Sequence, residues 1–184
     1  MNSAPPNIVP TLVTERLALR AHTVEDFAGS LALWTDPGVT RFIGGRASTE
    51  HEVWQRLLRY GGMWGMLGFG YWAITDRADG RFLGEAGLAD LKRELLPPLG
   101  DVPESGWALL PAAHGRGLGS EAMRAVLDWA DRALDRPETC CIIDPVNTAS
   151  TGLAGKLGYQ ARHTARLGGN AVTVFYRRRT PQVP

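Results

Sequence analysis

The chain has 184 residues, 44% of them hydrophobic, and its 20 basic and 19 acidic side chains give a formal net charge of +1. This length can bury a core as one domain without disulfides or a structural metal, and the interspersed charges form no basic face that would neutralise the phosphates of a nucleic acid. We expect a single domain over residues 12–178, between a mobile N-terminal tail at 1–11 and a C-terminal tail at 179–184.

The termini and the apolar segments predict a soluble cytoplasmic protein. The sequence opens without a basic segment followed by an apolar stretch, and it contains no run of about 18 apolar residues, so we expect neither export nor a membrane partner. Cys140 and Cys141 are neighbours within an apolar run, where adjacent side chains of a strand point to opposite faces and cannot readily bridge. We expect reduced, structural thiols and no bound metal.

The first part of the chain predicts a strand followed by two helices. Residues 12–20 end with apolar and basic residues in alternation, which favours a strand, and apolar residues at helical spacing from Val24 to Trp34 predict the first helix. A second helix should begin at Ser48 or Thr49, because Thr49 and Glu52 have capping-box spacing, and should end at Gly61-Gly62. The glycine-rich segment 60–72 is then expected to be an apolar loop, either within the core or against a ligand pocket.

The rest of the chain alternates predicted strands and helices. In chain order these are strands at 71–75, 81–88 and 104–110, a helix from Leu118 through Ala133, a strand at 139–143, a helix from Asn147 to Gly158, and strands at 159–166 and 171–177. The order β-α-α-β-β-β-α-β-α-β-β predicts an α/β (α+β) domain with helices against a mixed sheet.

One loop between a predicted strand and the best-defined helix has the composition of a phosphate site. From His114 to Ser120 (HGRGLGS) three glycines alternate with larger residues, so the backbone can approach a ligand closely and its amides can converge on an anion at a helix N-terminus. The loop matches neither G-x-x-x-x-G-K-S/T nor G-x-G-x-x-G. A diphosphate site is predicted, with a plain tight turn as the alternative.

Two segments resemble those of a known family, the GNAT acetyltransferases. HGRGLG is similar to the family's Q/R-x-x-G-x-G/A pattern, with His114 where Gln or Arg is usual, and NTASTGLAGKLGY, from Asn147 to Tyr159, is similar to its N-x-x-S-x-x-x-x-x-K-L-G-F/Y segment. TERLALR and ESGWALLPAAHGRGLGSEA resemble the ribosomal-protein (Rim-type) alanine acetyltransferase branch. The resemblance extends from about Thr14 to Arg177. It implies the GNAT fold, a mostly antiparallel central sheet with a splayed parallel strand pair and helices on both faces.

The same resemblance implies a cofactor site for acetyl-CoA. The pantetheine arm would lie between the splayed strands, where the backbone of Leu109 would bind it or polarise the thioester carbonyl and Asn147 would hydrogen-bond it. The pyrophosphate would be held by the loop, above all by the N–H groups from Arg116 to Ser120. The loop residues predicted to bind the cofactor are His114, Gly115, Arg116, Gly117, Leu118, Gly119 and Ser120.

The candidate catalytic residues are Glu104 and Ser150. An attacking amine must be neutral, so a carboxylate base is expected, and Glu104 resembles the glutamate of E-x-G-Y-W-L in Rim-type enzymes. A solvated glutamate at a strand end is the alternative, and Glu85 is the reserve base. Many family members have a general-acid tyrosine where this chain has Ala154. Ser150 then remains as the candidate that protonates the departing thiolate, or it is a hydroxyl that only satisfies backbone groups in the first turn of a helix.

The expected function is an N-acetyltransferase that moves an acetyl group directly from acetyl-CoA to a primary amine in a ternary complex. The acceptor is either a protein N-terminus or a small-molecule amine, and the acyl chain length stays open, as does the oligomeric state, a homodimer included. The alternative is a non-catalytic acyl-CoA-binding regulatory domain, which the missing tyrosine and the replaced Gln/Arg favour.

Overall fold

The computed structural model describes residues 9–180, so residues 1–8 of the tail predicted at 1–11 and residues 181–184 of the tail predicted at 179–184 lie outside the described residues. The helices and strands, in chain order, are β1 Leu12–Val13, β2 Leu17–Arg20, α1 Phe27–Thr35, α2 Pro37–Thr40, α3 Glu50–Leu67, β3 Tyr71–Asp76, β4 Phe82–Ala89, β5 Leu95–Leu96, β6 Glu104–Leu109, α4 Leu118–Ala133, β7 Glu138–Ile143, α5 Thr148–Lys156, β8 Gln160–Leu167 and β9 Asn170–Arg178. No helix between residues 9 and 180 is long and apolar enough to cross a membrane.

The strands form one sheet in the order β1-β2-β3-β4-β6-β7-β9-β8-β5. Within residues 9–180 every neighbouring pair is antiparallel except β6 and β7, which are parallel and share a single registered pair, Glu104 with Cys140. The predicted fold class, a mostly antiparallel mixed sheet with one splayed parallel pair, is confirmed.

The two faces of the sheet are covered by different helices. On one, which we call the α4 face, side chains such as Trp72 and Ala86 join residues of α4 and α5 in the main hydrophobic core. The other, the α3 face, lies beneath α1 and α3. Residues directly opposite each other on neighbouring strands point to the same face, and the pairs Glu85–Ala108, Gly87–Gly106 and Ala89–Glu104 therefore all belong to the α3 face.

The capping box predicted for α3 is present, but the predicted end of that helix is wrong. Glu52 N donates to Thr49 Oγ1 at 3.2 Å, and Thr49 N donates back to Glu52 Oε2 at 2.8 Å. The helix runs through Gly61-Gly62 and ends only at Gly68, whose φ of 74° is left-handed. Each glycine costs about 1 kcal/mol of helix propensity. Burial of Met63 and Trp64 outweighs that cost, so residues 60–67 are helix and not the expected loop.

Smaller differences occur near the edges of the sheet. The strand predicted at 12–20 is two short strands, β1 and β2, which pair antiparallel with each other. The helix α2 and the strand β5 were not predicted at all. The indole of Trp72 donates to the backbone oxygen of Pro10 at 2.7 Å, and this bond ties the first described residues to the core.

Candidate acetyl-transfer site

A gap opens between β6 and β7 directly after their one registered pair. Cys140 N donates to Pro103 O at 3.0 Å at the closed end, while β6 from Gly106 onward is paired only with β4. The Tyr159 hydroxyl bridges the same end, at 2.6 Å from Ser105 Oγ and 2.7 Å from Thr139 Oγ1. One edge of β6 therefore offers backbone groups that an extended ligand can pair with, as an added strand would.

The glycine loop lies between the end of β6 and the start of α4. Gly115 and Gly117 have φ of 70° and 76°, a left-handed conformation that glycine adopts without strain, and Gly117 is the N-cap of α4. The first amides of a helix have no partner within it, and they carry the positive end of its dipole. This is the backbone geometry that the predicted anion site requires, and the site itself stays a prediction.

Sequence reasoning missed the residues that hold this loop in place. Arg16 Nη1 donates to the backbone oxygen of Arg116 at 2.9 Å, and Arg16 Nε donates to Glu121 Oε2 at 2.7 Å. Thr14 Oγ1 donates to the other oxygen of Glu121 at 2.6 Å. These residues all lie in the segments that resemble the Rim-type branch, but the contacts join residues at least 100 positions apart and leave no local pattern.

His114 is exposed, but its ring is bonded to the end of the preceding strand. Its Nε2 lies 2.8 Å from the backbone oxygen of Leu109, so the ring N–H donates to that carbonyl. The backbone oxygen of Leu109 therefore already has one partner, and His114 fixes the strand end at which the pantetheine is expected.

The structure places Asn147 and Ser150 at the start of α5. Asn147 is the N-cap, and its Oδ1 accepts from Ser150 N at 3.1 Å. Its side-chain oxygen is thus used in capping, while the Ser150 hydroxyl has no hydrogen-bond partner within residues 9–180. Because α5 packs on the α4 face, Ser150 and Glu104 lie on opposite faces of the sheet, with the gap between them.

Glu104 is buried at the closed end of the gap and is not a solvated strand-end residue. It is 7% exposed, and Arg93 donates to both of its oxygens, from Nε at 2.7 Å and from Nη2 at 3.0 Å. Burial opposes the charge of Arg93, but the hydrogen bond and the attraction of Glu104 outweigh it and raise the pKa of the guanidinium. The ion pair holds Glu104 in one orientation on the α3 face.

Glu85 lies one strand away on the same face and is fully enclosed, at 0% exposure. Its carboxylate accepts from Ser30 Oγ at 2.7 Å, Trp34 Nε1 at 3.0 Å and the Tyr60 hydroxyl at 2.8 Å. Burial, with the nearby carboxylate, raises the pKa of Tyr60 well above its usual value, so this phenol stays a donor. Glu85 therefore organises α1 and α3 over the sheet and has no free surface for a substrate.

Both cysteines are free and buried. Burial raises the pKa of Cys140 to about 12 and also raises that of Cys141. Neither thiol is ionised near neutral pH, and a thiol must ionise to act as a nucleophile. Within residues 9–180 no group of three or more histidine, cysteine, aspartate or glutamate side chains is arranged to hold a metal ion.

Comparison with known proteins identifies the family. The sequence matches the acetyltransferase (GNAT) domain over residues 16–160. The chain belongs to the GNAT acetyltransferase family. A solved GNAT-family acetyltransferase from Bordetella pertussis is 32% identical, with a TM-score of 0.79, over 91% of this chain and 99% of that one. YkkB of Bacillus subtilis, an uncharacterised protein, is 29% identical over 177 residues, which are 94% of this chain and 98% of its own.

Rim-type enzymes are among the structural neighbours. RimL, described as a ribosomal L7/L12 alpha-N-protein acetyltransferase and solved with coenzyme A, is 16% identical, with a TM-score of 0.73, over 93% of this GNAT chain and 97% of its own. At that identity the likeness concerns the fold alone.

Proposed function

We propose that this GNAT protein is an acetyl-CoA-dependent N-acetyltransferase that acts on a primary amine by direct transfer. The observation that carries the proposal is the position of the gap and the glycine loop, which adjoin the same strand, β6. An extended thioester arm fits the open edge of β6, and its pyrophosphate fits the amides that begin α4. Coenzyme A bound to RimL supports this choice of co-substrate.

Within the proposed site, each predicted binding residue has a defined task. The amides from Arg116 to Ser120 would hold the pyrophosphate, with Arg16 fixing the loop from behind. The open edge of β6 would pair with the pantetheine up to Leu109, whose carbonyl is oriented by His114. Asn147 would contact the pantetheine through its amide nitrogen, because its oxygen caps α5.

In the reaction the acceptor nitrogen loses two protons and the sulfur gains one. Glu104 takes the first proton from the acceptor ammonium, directly or through a water, and passes it to solvent, and the freed nitrogen forms a bond to the thioester carbon. The nitrogen of this adduct loses its second proton to Glu104, the C–S bond breaks with its electron pair leaving on sulfur, and Ser150 or solvent supplies a proton to the thiolate. We prefer Glu104 to Glu85 as the base, because Glu85 is fully enclosed and already accepts from three donors.

The acceptor class remains a proposal. The printed description of RimL supports a protein N-terminal amine, and a small-molecule amine is the second candidate. The cytoplasmic location and the homodimer also stay predictions.

A thiol-release assay tests the proposed function. The purified protein is incubated with acetyl-CoA and a panel of peptides with free N-termini, polyamines, amino acids and amine antibiotics, and free thiol is measured over time. We expect release that depends on one class of amine, with the acetylated product confirmed by mass. Tight binding of coenzyme A in calorimetry without transfer to any amine would instead support the non-catalytic acyl-CoA-binding domain.

A further inference from the structure

Tyr71 reaches across the sheet to the closed end of the gap. It begins β3, where it pairs with Gly87, and Gly87 pairs in turn with Gly106 of β6. A Cβ added at Gly87 would overlap the Cα of Tyr71, and a Cβ added at Gly106 would overlap the Tyr71 hydroxyl. The two glycines thus form a trough in the α3 face, and the phenol oxygen lies on Gly106, next to the position where β6 and β7 separate.

The ring of Tyr71 is held in this orientation by its neighbours. It stacks on Tyr60 with ring centroids 4.7 Å apart and an interplanar angle of 10°. Tyr60 is itself fixed by its hydrogen bond to Glu85 and stacks with His22 at 4.9 Å. Three aromatic rings therefore form one wall of the α3 face, with the Tyr71 hydroxyl at its end nearest the gap.

The Tyr71 hydroxyl differs from the two carboxylates of this face because it has no hydrogen-bond partner among the described residues. Glu85 accepts from three donors and Glu104 from two, whereas the Tyr71 oxygen makes no hydrogen bond to any of residues 9–180, and Tyr71 is partly exposed. Burial, reinforced by the negative charge of Glu104, raises the pKa of Tyr71, so the phenol stays neutral. The hydroxyl is thus held in a fixed orientation beside the gap, and its oxygen is available to a ligand there.

We propose that Tyr71 is a further catalytic residue, whose hydroxyl oxygen accepts a hydrogen bond from the acceptor nitrogen and directs its lone pair at the thioester carbon. The inference rests on the proposed function. The N–C bond forms and the C–S bond breaks, with the electron pair leaving on sulfur. The nitrogen loses one proton before it attacks and a second from the adduct; Glu104 accepts each in turn and passes the first to solvent, Ser150 or solvent protonates the thiolate, and Tyr71 keeps its own proton throughout.

The direct test is Tyr71→Phe, which keeps the ring and its stacking on Tyr60. With the amine found in the thiol-release assay, we expect kcat/KM for the acceptor to fall about tenfold, the loss for one net hydrogen bond in the transition state. Coenzyme A affinity and Tm should stay at the wild-type values. Tyr176→Phe is the matched control, because it removes a phenol hydroxyl from the same face in a separate hydrophobic cluster, and it should change neither kinetics nor binding.

A second variant tests where the hydroxyl lies. Gly106→Ala should displace the phenol and lower kcat/KM for the acceptor at least as much as Tyr71→Phe does. In the Tyr71→Phe background the nearest ring atom to the added methyl is Cζ, at 3.0 Å, so the same change should cost much less there. The two effects should therefore be strongly non-additive. Additive effects would overturn the placement of the hydroxyl at the reacting centre.

The outcomes separate the two proposals. If the wild-type protein transfers acetyl groups and Tyr71→Phe has the same kcat/KM for the acceptor, the role of Tyr71 is overturned while the proposed function stands. The role of Tyr71 is also overturned if the loss in kcat/KM is accompanied by an equal loss of coenzyme A affinity or of stability. The hydroxyl would then contribute only to the packing of the aromatic rings on the α3 face. A wild-type protein that acetylates no amine overturns the proposed function, and this inference with it.

Discussion

The two sides of the gap differ in the kind of group that forms them: backbone groups on one side and side chains on the other. The side proposed for the cofactor consists of backbone groups: the open edge of β6, the left-handed glycines of the loop and the first amides of α4. The α3 face, opposite, uses side chains from separate elements, such as Ser30 of α1, Tyr60 of α3 and Glu85 of β4. A backbone site tolerates almost any side chain where glycine is not required, whereas a side-chain site fails when one partner is lost.

The largest effect, on kcat, should come from a substitution on the side formed by side chains, at Glu104. Glu104→Gln removes the proposed base while leaving a group that Arg93 can still bond, so kcat should fall at least about 100-fold, the lower bound for a general base. Coenzyme A affinity should be unchanged, and the acidic limb of the pH-rate profile should disappear. The exposed Glu94→Gln is the matched control. A Glu104→Gln enzyme with full kcat and an intact acidic limb would assign the proton to solvent or another group.

On the side formed by backbone groups, the substitution Gly117→Val should weaken the binding of coenzyme A. A valine there must adopt a φ of 76°, a strain of about 1–3 kcal/mol for a non-glycine residue. The free loop can relieve this strain by changing conformation, and binding must restore it, so we expect the Kd of coenzyme A in calorimetry to rise about 5- to 100-fold, since each 1.4 kcal/mol is a factor of ten. Ser120→Ala keeps the amide and should bind like the wild type. If Ser120→Ala weakens binding as much as Gly117→Val, the loop acts through side chains and the comparison fails.

A substitution at the closed end of the gap should have a smaller effect, on the stability of the protein. Tyr159→Phe leaves the hydroxyls of Ser105 and Thr139 without their bridging partner, so the free energy of unfolding in urea should fall by about 1 kcal/mol. Tyr176→Phe again serves as the control. Unchanged stability would mean that the strands are held together without this bridge.

The smallest effect should be that of the cysteines. Because burial raises the pKa of both thiols, iodoacetamide at pH 8 should label neither Cys140 nor Cys141 until the protein unfolds. Cys140→Ala and Cys141→Ala, where they fold, should keep kcat near the wild-type value. An acetylated protein trapped on either cysteine would contradict direct transfer.

Local patterns predicted most of the fold. The helix α4 has buried residues on one face and polar residues on the others, and the strands β6 and β7 follow apolar runs, so the sequence alone indicated their bounds closely. The end of α3 could not be predicted in this way. Gly61-Gly62 is a stop signal locally, and only the burial of Met63 and Trp64 against distant strands extends the helix.

The same distinction applies to the candidate site. Gly115 and Gly117 are adjacent in sequence to the helix they cap, so their spacing indicated an anion site. Arg16 contacts Glu121, and Tyr71 contacts Gly106, only in the folded sheet. Because the residues of each pair are far apart in the sequence, no periodicity or motif predicts these contacts. Glu104 was found through resemblance, while its ion pair with Arg93 required the structure.

The single registered pair between β6 and β7 divides the sheet into two hydrogen-bonded blocks, β1-β2-β3-β4-β6 on one side and β7-β9-β8-β5 on the other. The main hydrophobic core joins the two blocks, but beyond the registered pair their facing edges have no strand partner among the described residues, so amide hydrogen exchange should be faster along those edges than inside either block. A pantetheine arm in the gap would supply hydrogen bonds to an edge that now lacks them. The co-substrate would then act as a structural strand as well as a reactant, and its binding should slow exchange along the open edge of β6.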